Sequence, residues 1–313
     1  MGMRYTIPVL FVLVTMLVIS GSVAPGSKVL HRSFDEYNFL TGVIPEDAEV
    51  VFDTPVPEKR VSKLLLLTVD YGMGDANRLA RRLGMDDPEL RKEDLYVEAS
   101  EGEQKLEVYR YVPHFSYWNE GVSYFDGPFR DEDYYVRIAA DYLAIVIDFY
   151  PWLTQYDIDV KVHFGVAHLV GAQGEKVGGV SVSFNLRWGG MTIKPGVIVT
   201  LTNNGELARM YVTAWDFVVS GYLMLDRTML ESIPGSYFIP GEGNGFSIIE
   251  GSGIEKMVVK KISVVQDTHL PTREVSDYDS VYAFPFVRLQ GEAWLKNGKN
   301  AYMDILIPLV YEL

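Results

Sequence analysis

The stretch that decides the fold is residues 177–214, which read VGGVSVSFNLRWGGMTIKPGVIVTLTNNGELARMYVTA. Apolar and polar residues alternate in Val177–Trp188, and similar patterns predict strands at Val197–Leu201 and Glu206–Ala214. The turn Asn203-Asn204-Gly205 joins the last two strands, and an Asn-Gly pair between alternating segments is a strong hairpin signal. This stretch therefore predicts an antiparallel sheet.

A long helix is predicted directly before these strands. Apolar side chains recur at helical spacing from Asp131 to Phe149, and Pro151 ends the pattern. A strand at Ile158–Val170 follows and is joined to Val177–Trp188 by a polar turn around Gly174. The order in this block is a helix and then antiparallel strands.

The same order appears earlier in the chain. Asp75 caps a predicted helix that ends at Gly84. Three predicted strands follow, at Leu95–Ala99, Lys105–Val112 and Gly121–Phe125. We therefore expect an α+β fold with two tandem helix-plus-antiparallel-sheet units.

The predicted organisation has five segments. They are an N-terminal apolar segment at 1–27, a stalk and lead-in at 28–62, a first α+β unit at 63–130, a second at 131–235, and a β-rich part at 236–313. The last part alternates through Val281–Leu295, and Asn297-Gly298 turns it into another strand at Ala301–Tyr311. We expect it to pack on the second unit.

The N-terminal segment predicts a membrane anchor. Tyr5–Ala24 carries no charge, and about 20 residues at 1.5 Å each span a hydrocarbon layer of about 30 Å. Small residues at its end are also compatible with a cleaved signal peptide, in which case the protein would be secreted. We expect a single-pass cell-membrane protein with a transmembrane helix and an extracytoplasmic C-terminal domain.

Composition excludes several functional classes. The net charge of −14 argues against nucleic acid as a partner, because phosphate binding needs Lys and Arg. The chain contains no Cys, which excludes disulfides, thiolate metal sites and a Cys nucleophile.

The two predicted units resemble PepSY-type modules. The resemblance rests on residues 75–84, DANRLARRLG, followed by strands, on residues 190–207 with their Asn-Gly turn, and on the closing strand YAFPF at 282–286. Such modules occur in protease propeptides and, duplicated behind one membrane anchor, in YycI-like regulators of sensor kinases. The resemblance implies a non-enzymatic domain that binds or restrains another protein.

No catalytic, cofactor-binding or metal-binding residue is predicted. His163 and His168 are expected on opposite faces of a strand, and Ser181 and Ser183 on its solvent face. The carboxylates at 131–133 and 277–279 lack the spacing of a calcium loop, and the glycines at 241–245 predict a surface loop rather than a phosphate site.

Aromatic residues are the candidate partner-binding positions. They are Tyr117, Trp118, Tyr124, Phe125 and Trp188, although packing in the core and on sheet faces also explains such residues. The preferred hypothesis is a membrane-anchored protein-binding module that regulates a membrane enzyme or sensor. The alternative is a ligand-binding protein for a peptide, lipid or glycan, and a hydrolase with carboxylates that the sequence does not pair is a third.

Overall fold

A computed structural model describes residues 27–31, 42–171, 174–241, 253–267 and 275–310. Strands hold 54% of these residues and helices 16%. The strands are β1 (Val29–Leu30), β2 (Gly42–Val43), β3 (Glu49–Phe52), β4 (Lys59–Leu67), β5 (Glu89–Lys92), β6 (Tyr96–Glu101), β7 (Gln104–Tyr109), β8 (His114–Asn119), β9 (Asp157–Gly171), β10 (Gly174–Trp188), β11 (Met191–Leu201), β12 (Leu207–Thr213), β13 (Phe217–Leu225), β14 (Tyr237–Pro240), β15 (Ile254–Asp267), β16 (Ser280–Tyr282), β17 (Phe284–Leu295) and β18 (Asn300–Pro308). The α-helices are α1 (Met73–Arg82), α2 (Glu132–Phe149) and α3 (Arg227–Glu231), and short 3₁₀ turns lie at Pro151–Gln155 and Val275–Asp277.

Eight strands form an antiparallel sheet in the order β5-β6-β7-β8-β12-β11-β10-β9. Both long helices pack on one face of this sheet, which we call the inner face. Ala76 and Leu79 of α1 and Ala139 and Val146 of α2 are buried there against side chains such as Phe115. Burial of this apolar surface is the main stabilising contribution to this half of the molecule.

Strand β11 connects this sheet to a second group of strands. Its second half, Val197–Leu201, pairs with β12, whereas its first half, Thr192–Lys194, pairs in parallel with the end of β15. Beyond β15 the sheet continues through β17, β18, β14 and β2, and β3 pairs with the beginning of β15. A second apolar cluster lies among these strands and α3.

A separate four-stranded sheet has the order β1-β16-β4-β13. Its strand β4 contributes Leu64 and Leu66 to the first cluster and Val61 to the second. Gln266 of β15 also donates a hydrogen bond to the carbonyl oxygen of Ser62, at 2.8 Å. The small sheet therefore contacts both clusters.

The prediction of two tandem helix-plus-sheet units behind a transmembrane helix is wrong. The protein is mostly β, with one fourteen-stranded network of paired strands. The reason lies in long-range pairing: β8 of the expected first unit pairs with β12 of the expected second unit, and β4 pairs with β13. The boundaries at 27, 62, 130 and 235 stay a prediction.

The prediction of a single-pass membrane protein with an extracytoplasmic domain is also corrected. Among the described residues, no helix is long and apolar enough to cross a bilayer. Helix α2 has 18 residues, but charged side chains such as Asp141 and Asp148 interrupt its apolar surface. The predicted span Tyr5–Ala24 and the lead-in at 32–41 lie outside the described residues.

Candidate functional site

Strand β8 runs through the middle of the eight-stranded sheet and presents different side chains to its two faces. Phe115 and Tyr117 belong to the apolar core beneath α2. Ser116 and Trp118 alternate with them and therefore point to the opposite face, which we call the outer face.

The neighbouring strand β12 continues the same alternation. Met210 is buried in the core, whereas Arg209 and Tyr211 are exposed on the outer face. Arg209 is the cross-strand neighbour of Trp118, and Tyr211 is the cross-strand neighbour of Ser116. The register therefore places a guanidinium and two aromatic rings on adjacent strands of one surface.

The loop at 120–130 forms a wall beside these residues. The carbonyl oxygen of Tyr124 accepts hydrogen bonds from the backbone N–H groups of Gly179, at 3.1 Å, and Asn203, at 3.3 Å. A Cβ on Gly178 would lie 2.5 Å from that oxygen, so only glycine permits this close approach. Gly179 has φ +74°, which other residues rarely adopt.

Asn203 fixes the wall to the sheet. Its side-chain oxygen accepts a hydrogen bond from the N–H of Gly179 and its side-chain nitrogen donates one to the carbonyl oxygen of Gly127, both at 2.9 Å. Its own carbonyl oxygen accepts from the buried Tyr135 hydroxyl, at 2.8 Å. Through its side chain and its backbone carbonyl, the buried Asn203 thus links the loop, β10 and α2.

A groove of about 800 Å³ lies between this wall and the outer face. Its lining includes Trp118, Tyr124, Tyr211, Ile198, Thr200 and Arg209, with Asn119 and Glu120 at the loop. This volume falls in the range of about 300–1,000 Å³ that is usual for ligand sites. The lining is amphipathic, because aromatic rings stand beside hydrogen-bonding and charged groups.

The charged groups near the groove differ in their partners. Lys105 Nζ contacts carboxylate oxygens of Glu98, at 2.6 Å, and Glu107, at 3.2 Å, and lies 5.2 Å from the centre of the Trp118 ring. The hydrogen bond from Lys105 to Glu98 is the main reason that its pKa is raised above the usual value. Arg209, in contrast, makes no ion pair in the part of the chain that the structure describes.

A row of aromatic rings crosses four strands of the outer face beside the groove. The ring centres of Tyr96 and Tyr109 are 5.9 Å apart, those of Tyr109 and His114 are 4.6 Å apart, and those of His114 and Tyr211 are 4.5 Å apart. Partial burial raises the pKa of both Tyr109 and Tyr211 above the ordinary value.

Both ring nitrogens of His114 have hydroxyl neighbours. Nδ1 lies 2.9 Å from Thr213 Oγ1, and Nε2 lies 3.2 Å from Ser116 Oγ. This arrangement orients the imidazole within the row. It suits a packed histidine better than a metal ligand, which needs a free ring nitrogen.

The structure separates the five aromatic residues that the sequence identified. Trp118 and Tyr124 line the groove, as a binding role requires. Tyr117 also belongs to the lining, although it is only 3% exposed and packs in the core. Phe125 lies against Gly178. Trp188 packs on Phe217 with ring centres 4.9 Å apart, away from the groove.

Two groove residues, Arg209 and Tyr211, were not identified from the sequence. The signal was present, because they are the polar half of the alternation in the predicted strand Glu206–Ala214. What the sequence did not contain was the pairing of β12 with β8, which brings them next to Trp118.

The other candidate residues lie apart from the groove or outside the described residues. His163 is exposed on β9, and His168 Nδ1 lies 3.4 Å from Glu175 Oε1. Ser181 and Ser183 alternate with buried valines, so the predicted strand pattern there is confirmed. No group of three or more metal-ligating side chains occurs among the residues that the structure places.

The acidic clusters have structural contacts. The Asp131 side chain accepts a hydrogen bond from the N–H of Tyr134, at 2.8 Å, and caps α2 as its position before the helix predicts. Asp279 accepts a hydrogen bond from the N–H of Lys28, also at 2.8 Å. Residues 242–245 of the glycine-rich loop, and His269, lie outside the described residues.

A second depression of about 660 Å³ lies on β15, β17 and β18. Lys260 and Glu292, which line it, form an ion pair with each other, and Gln290 donates a hydrogen bond to the Tyr302 hydroxyl, at 3.1 Å. Since these polar groups already contact one another, the groove at Trp118 is the stronger candidate for binding.

No protein-family model matches the sequence, and no curated protein is similar to it. The resemblance to PepSY-type modules stays a prediction. The groove at Trp118 is therefore the feature from which a function can be inferred.

Proposed function

We propose that this protein is a non-enzymatic binding module that holds a segment of a partner protein in the groove at Trp118. The observation that carries the proposal is an exposed arginine, Arg209, without an ion-pair partner among the described residues, which lies opposite Trp118 and two residues from Tyr211 on β12. Tryptophan, tyrosine and arginine are the residue types that contribute most to the affinity of protein interfaces.

The chemistry of the partner follows from the lining. A carboxylate of the partner can form a bidentate pair with Arg209, and an aromatic or aliphatic side chain beside it can pack on Trp118. We therefore propose that the bound segment carries an acidic residue next to a large apolar one. The hydrogen-bonded floor and wall support this proposal, because a preorganised site loses little entropy on binding.

The test is a selection of peptides from a displayed random library with the full chain as bait. We expect the selected peptides to share an Asp or Glu next to an aromatic or aliphatic residue. We expect Trp118→Ala and Arg209→Gln each to weaken their binding by about 30-fold, as loss of about 2 kcal/mol implies. The matched control is Trp294→Ala on β17, which removes an exposed tryptophan away from the groove and should leave the affinity unchanged.

Equal affinity of Trp118→Ala, Arg209→Gln and the unchanged protein for the selected peptides would contradict the proposal. A second candidate is an acidic glycan, because the groove volume and its aromatic rings also suit a short oligosaccharide. A rise in melting temperature with uronic acid oligosaccharides, lost in Arg209→Gln, would favour that ligand over a peptide.

A further inference from the structure

Strand β9 forms one edge of the eight-stranded sheet. It has 15 residues, and in the described part of the chain it pairs with β10 alone. No described strand pairs with the backbone N–H and C=O groups on its other side, and such groups can pair with a further strand.

The opposite edge of the sheet differs from β9. Strand β5 has four residues, of which Glu89, Arg91 and Lys92 are charged, and short charged edges resist pairing with other chains. Strand β9 is much longer, with 15 residues, and Val160 and Phe164 on its inner face are exposed by 39% and 45%. An edge that is long, exposed and partly apolar is a surface for a further strand.

The sequence of β9 is complementary to itself. Residues 157–163 read DIDVKVH, and the centre of this segment is Val160. When the segment faces a copy of itself in the antiparallel direction about Val160, Asp159 faces Lys161 and Asp157 faces His163. The apolar positions match as well, because Ile158 faces Val162 and Val160 faces its own copy.

The structure presents these residues in the required geometry. The segment pairs regularly with β10, from Asp157 opposite Arg187 to Phe164 opposite Val180, and the irregularity at Gly165 (φ +72°) comes only after it. Alternation places Asp157, Asp159, Lys161 and His163 on the outer face. Asp159 and Lys161 are exposed, and no ion pair engages either within the described residues.

We infer that two copies of this chain pair through β9 in an antiparallel arrangement, with the twofold axis at Val160. Such a contact uses the same patch of both copies and closes on itself, so it yields a dimer and not a filament. It joins the two sheets into one, with eight strands from each copy. It sets two Asp159–Lys161 pairs of opposite charge across the junction, and Asp157 of each copy faces His163 of the other. In an antiparallel ladder, hydrogen-bonded and non-hydrogen-bonded residue pairs alternate. A twofold axis can pass through either kind of pair, so it can lie at Val160 in both cases.

The charges make the dimer testable by exchange. Asp159→Lys alone gives two positive side chains at each 159–161 contact, and Lys161→Glu alone gives two negative ones, so each variant repels its own copy. In native mass spectrometry we expect each variant to have the mass of one chain, 35.3 kDa, and the unchanged protein to have the mass of two chains. A mixture of the two variants has opposite charges at every 159–161 contact, and we expect it to form the heterodimer. The same measurement distinguishes the two variant monomers from the heterodimer.

The matched control is Lys92→Glu on β5, which changes the charge identically at the other edge and should leave the dimer intact. A monomeric unchanged protein would overturn the inference. Dimers of both single variants that are as stable as the unchanged dimer would also overturn it, because the contact would then lie elsewhere.

The position of the axis has its own test. Since the chain contains no cysteine, Val160→Cys introduces a single thiol that faces its own copy across the axis. Paired residues of antiparallel strands have Cα atoms about 4.5–5.5 Å apart, which is within the range of a disulfide. We expect oxidation to link Val160→Cys into a covalent dimer and to leave the control Lys92→Cys unlinked. Absence of the linked product in Val160→Cys would overturn this register.

Discussion

Asn203 is the residue on which the groove wall depends most directly. It is 4% exposed, and both atoms of its side-chain amide make hydrogen bonds to backbone groups of other segments. Such bonds hold a loop in one place because a buried backbone group that loses its partner is costly.

We predict that Asn203→Ala lowers the free energy of unfolding by about 2 kcal/mol, because the carbonyl oxygen of Gly127 loses its donor while the N–H of Gly179 keeps the Tyr124 carbonyl oxygen. Urea denaturation measures the change. The matched control is Asn204→Ala, since the neighbouring asparagine is exposed and should change stability by less than about 0.5 kcal/mol. Equal effects of the two substitutions would show that the amide of Asn203 does not hold the wall.

The pairing of β15 with β17 depends on close contact between two backbones. Gly291 of β17 lies opposite an irregularity of β15 between Val259 and Lys261, and a Cβ at Gly291 would be only 2.0 Å from the carbonyl oxygen of Val258. The strands would have to separate to accept any other residue.

We therefore predict that Gly291→Ala lowers the free energy of unfolding by about 1–3 kcal/mol. Thermal and urea denaturation measure the effect. Gly221→Ala in β13 is the control, because the nearest atom to its added Cβ would be Lys63 Cδ, at 3.9 Å. A fully stable Gly291→Ala protein would mean that the two strands adjust without cost.

The sequence predicted single helices and strands better than the way in which they pair. The helix from Asp131 to Phe149 and the hairpin around Asn203-Asn204-Gly205 are confirmed, because local signals define them. The strand predicted at Gly121–Phe125 is wrong: β8 lies at His114–Asn119, and the later residues form the loop of the groove wall. Strand β13 was missed, and it pairs with a partner more than 150 residues away.

The candidate site was predicted in part for the same reason. Tyr117, Trp118 and Tyr124 were identified by their residue type and all three belong to the lining, although strand alternation turns the Tyr117 side chain into the core. Arg209 and Tyr211 become neighbours of Trp118 only through the contact of β12 with β8, and that contact depends on the whole sheet.

The molecule as a whole should be sensitive to alkaline pH. Tyr117, Tyr150 and Tyr156 are buried, and burial raises the pKa of each above the ordinary value of 10.0, to about 12 for Tyr117. A pKa raised by folding means that the native state keeps a proton that the unfolded chain releases. Stability from this source is complete below pH 10 and decreases as the pH rises above 10.

We predict that the free energy of unfolding falls increasingly steeply as the pH rises above 10, by up to about 1.4 kcal/mol per pH unit for each tyrosine whose pKa folding raises. Denaturation at a series of pH values measures the slope. Tyr150→Phe should reduce the slope by up to about 1.4 kcal/mol per pH unit, because its hydroxyl is fully buried and makes no hydrogen bond within the described residues. Tyr222→Phe, at an exposed position, should leave the slope unchanged.

The pairing of β11 with both β12 and β15 limits the insertions and deletions that this chain can accept during evolution. One half of the strand pairs with β12 and the other half pairs with β15. Its side chains belong to both apolar clusters, Val199 to the first and Met191 to the second. Loss or gain of one residue in β11 would reverse the faces of the residues beyond it and disturb two cores in one event. Lineages that inherit this fold should therefore vary in length at hairpin ends such as Asn297-Gly298, while β11 keeps its eleven residues.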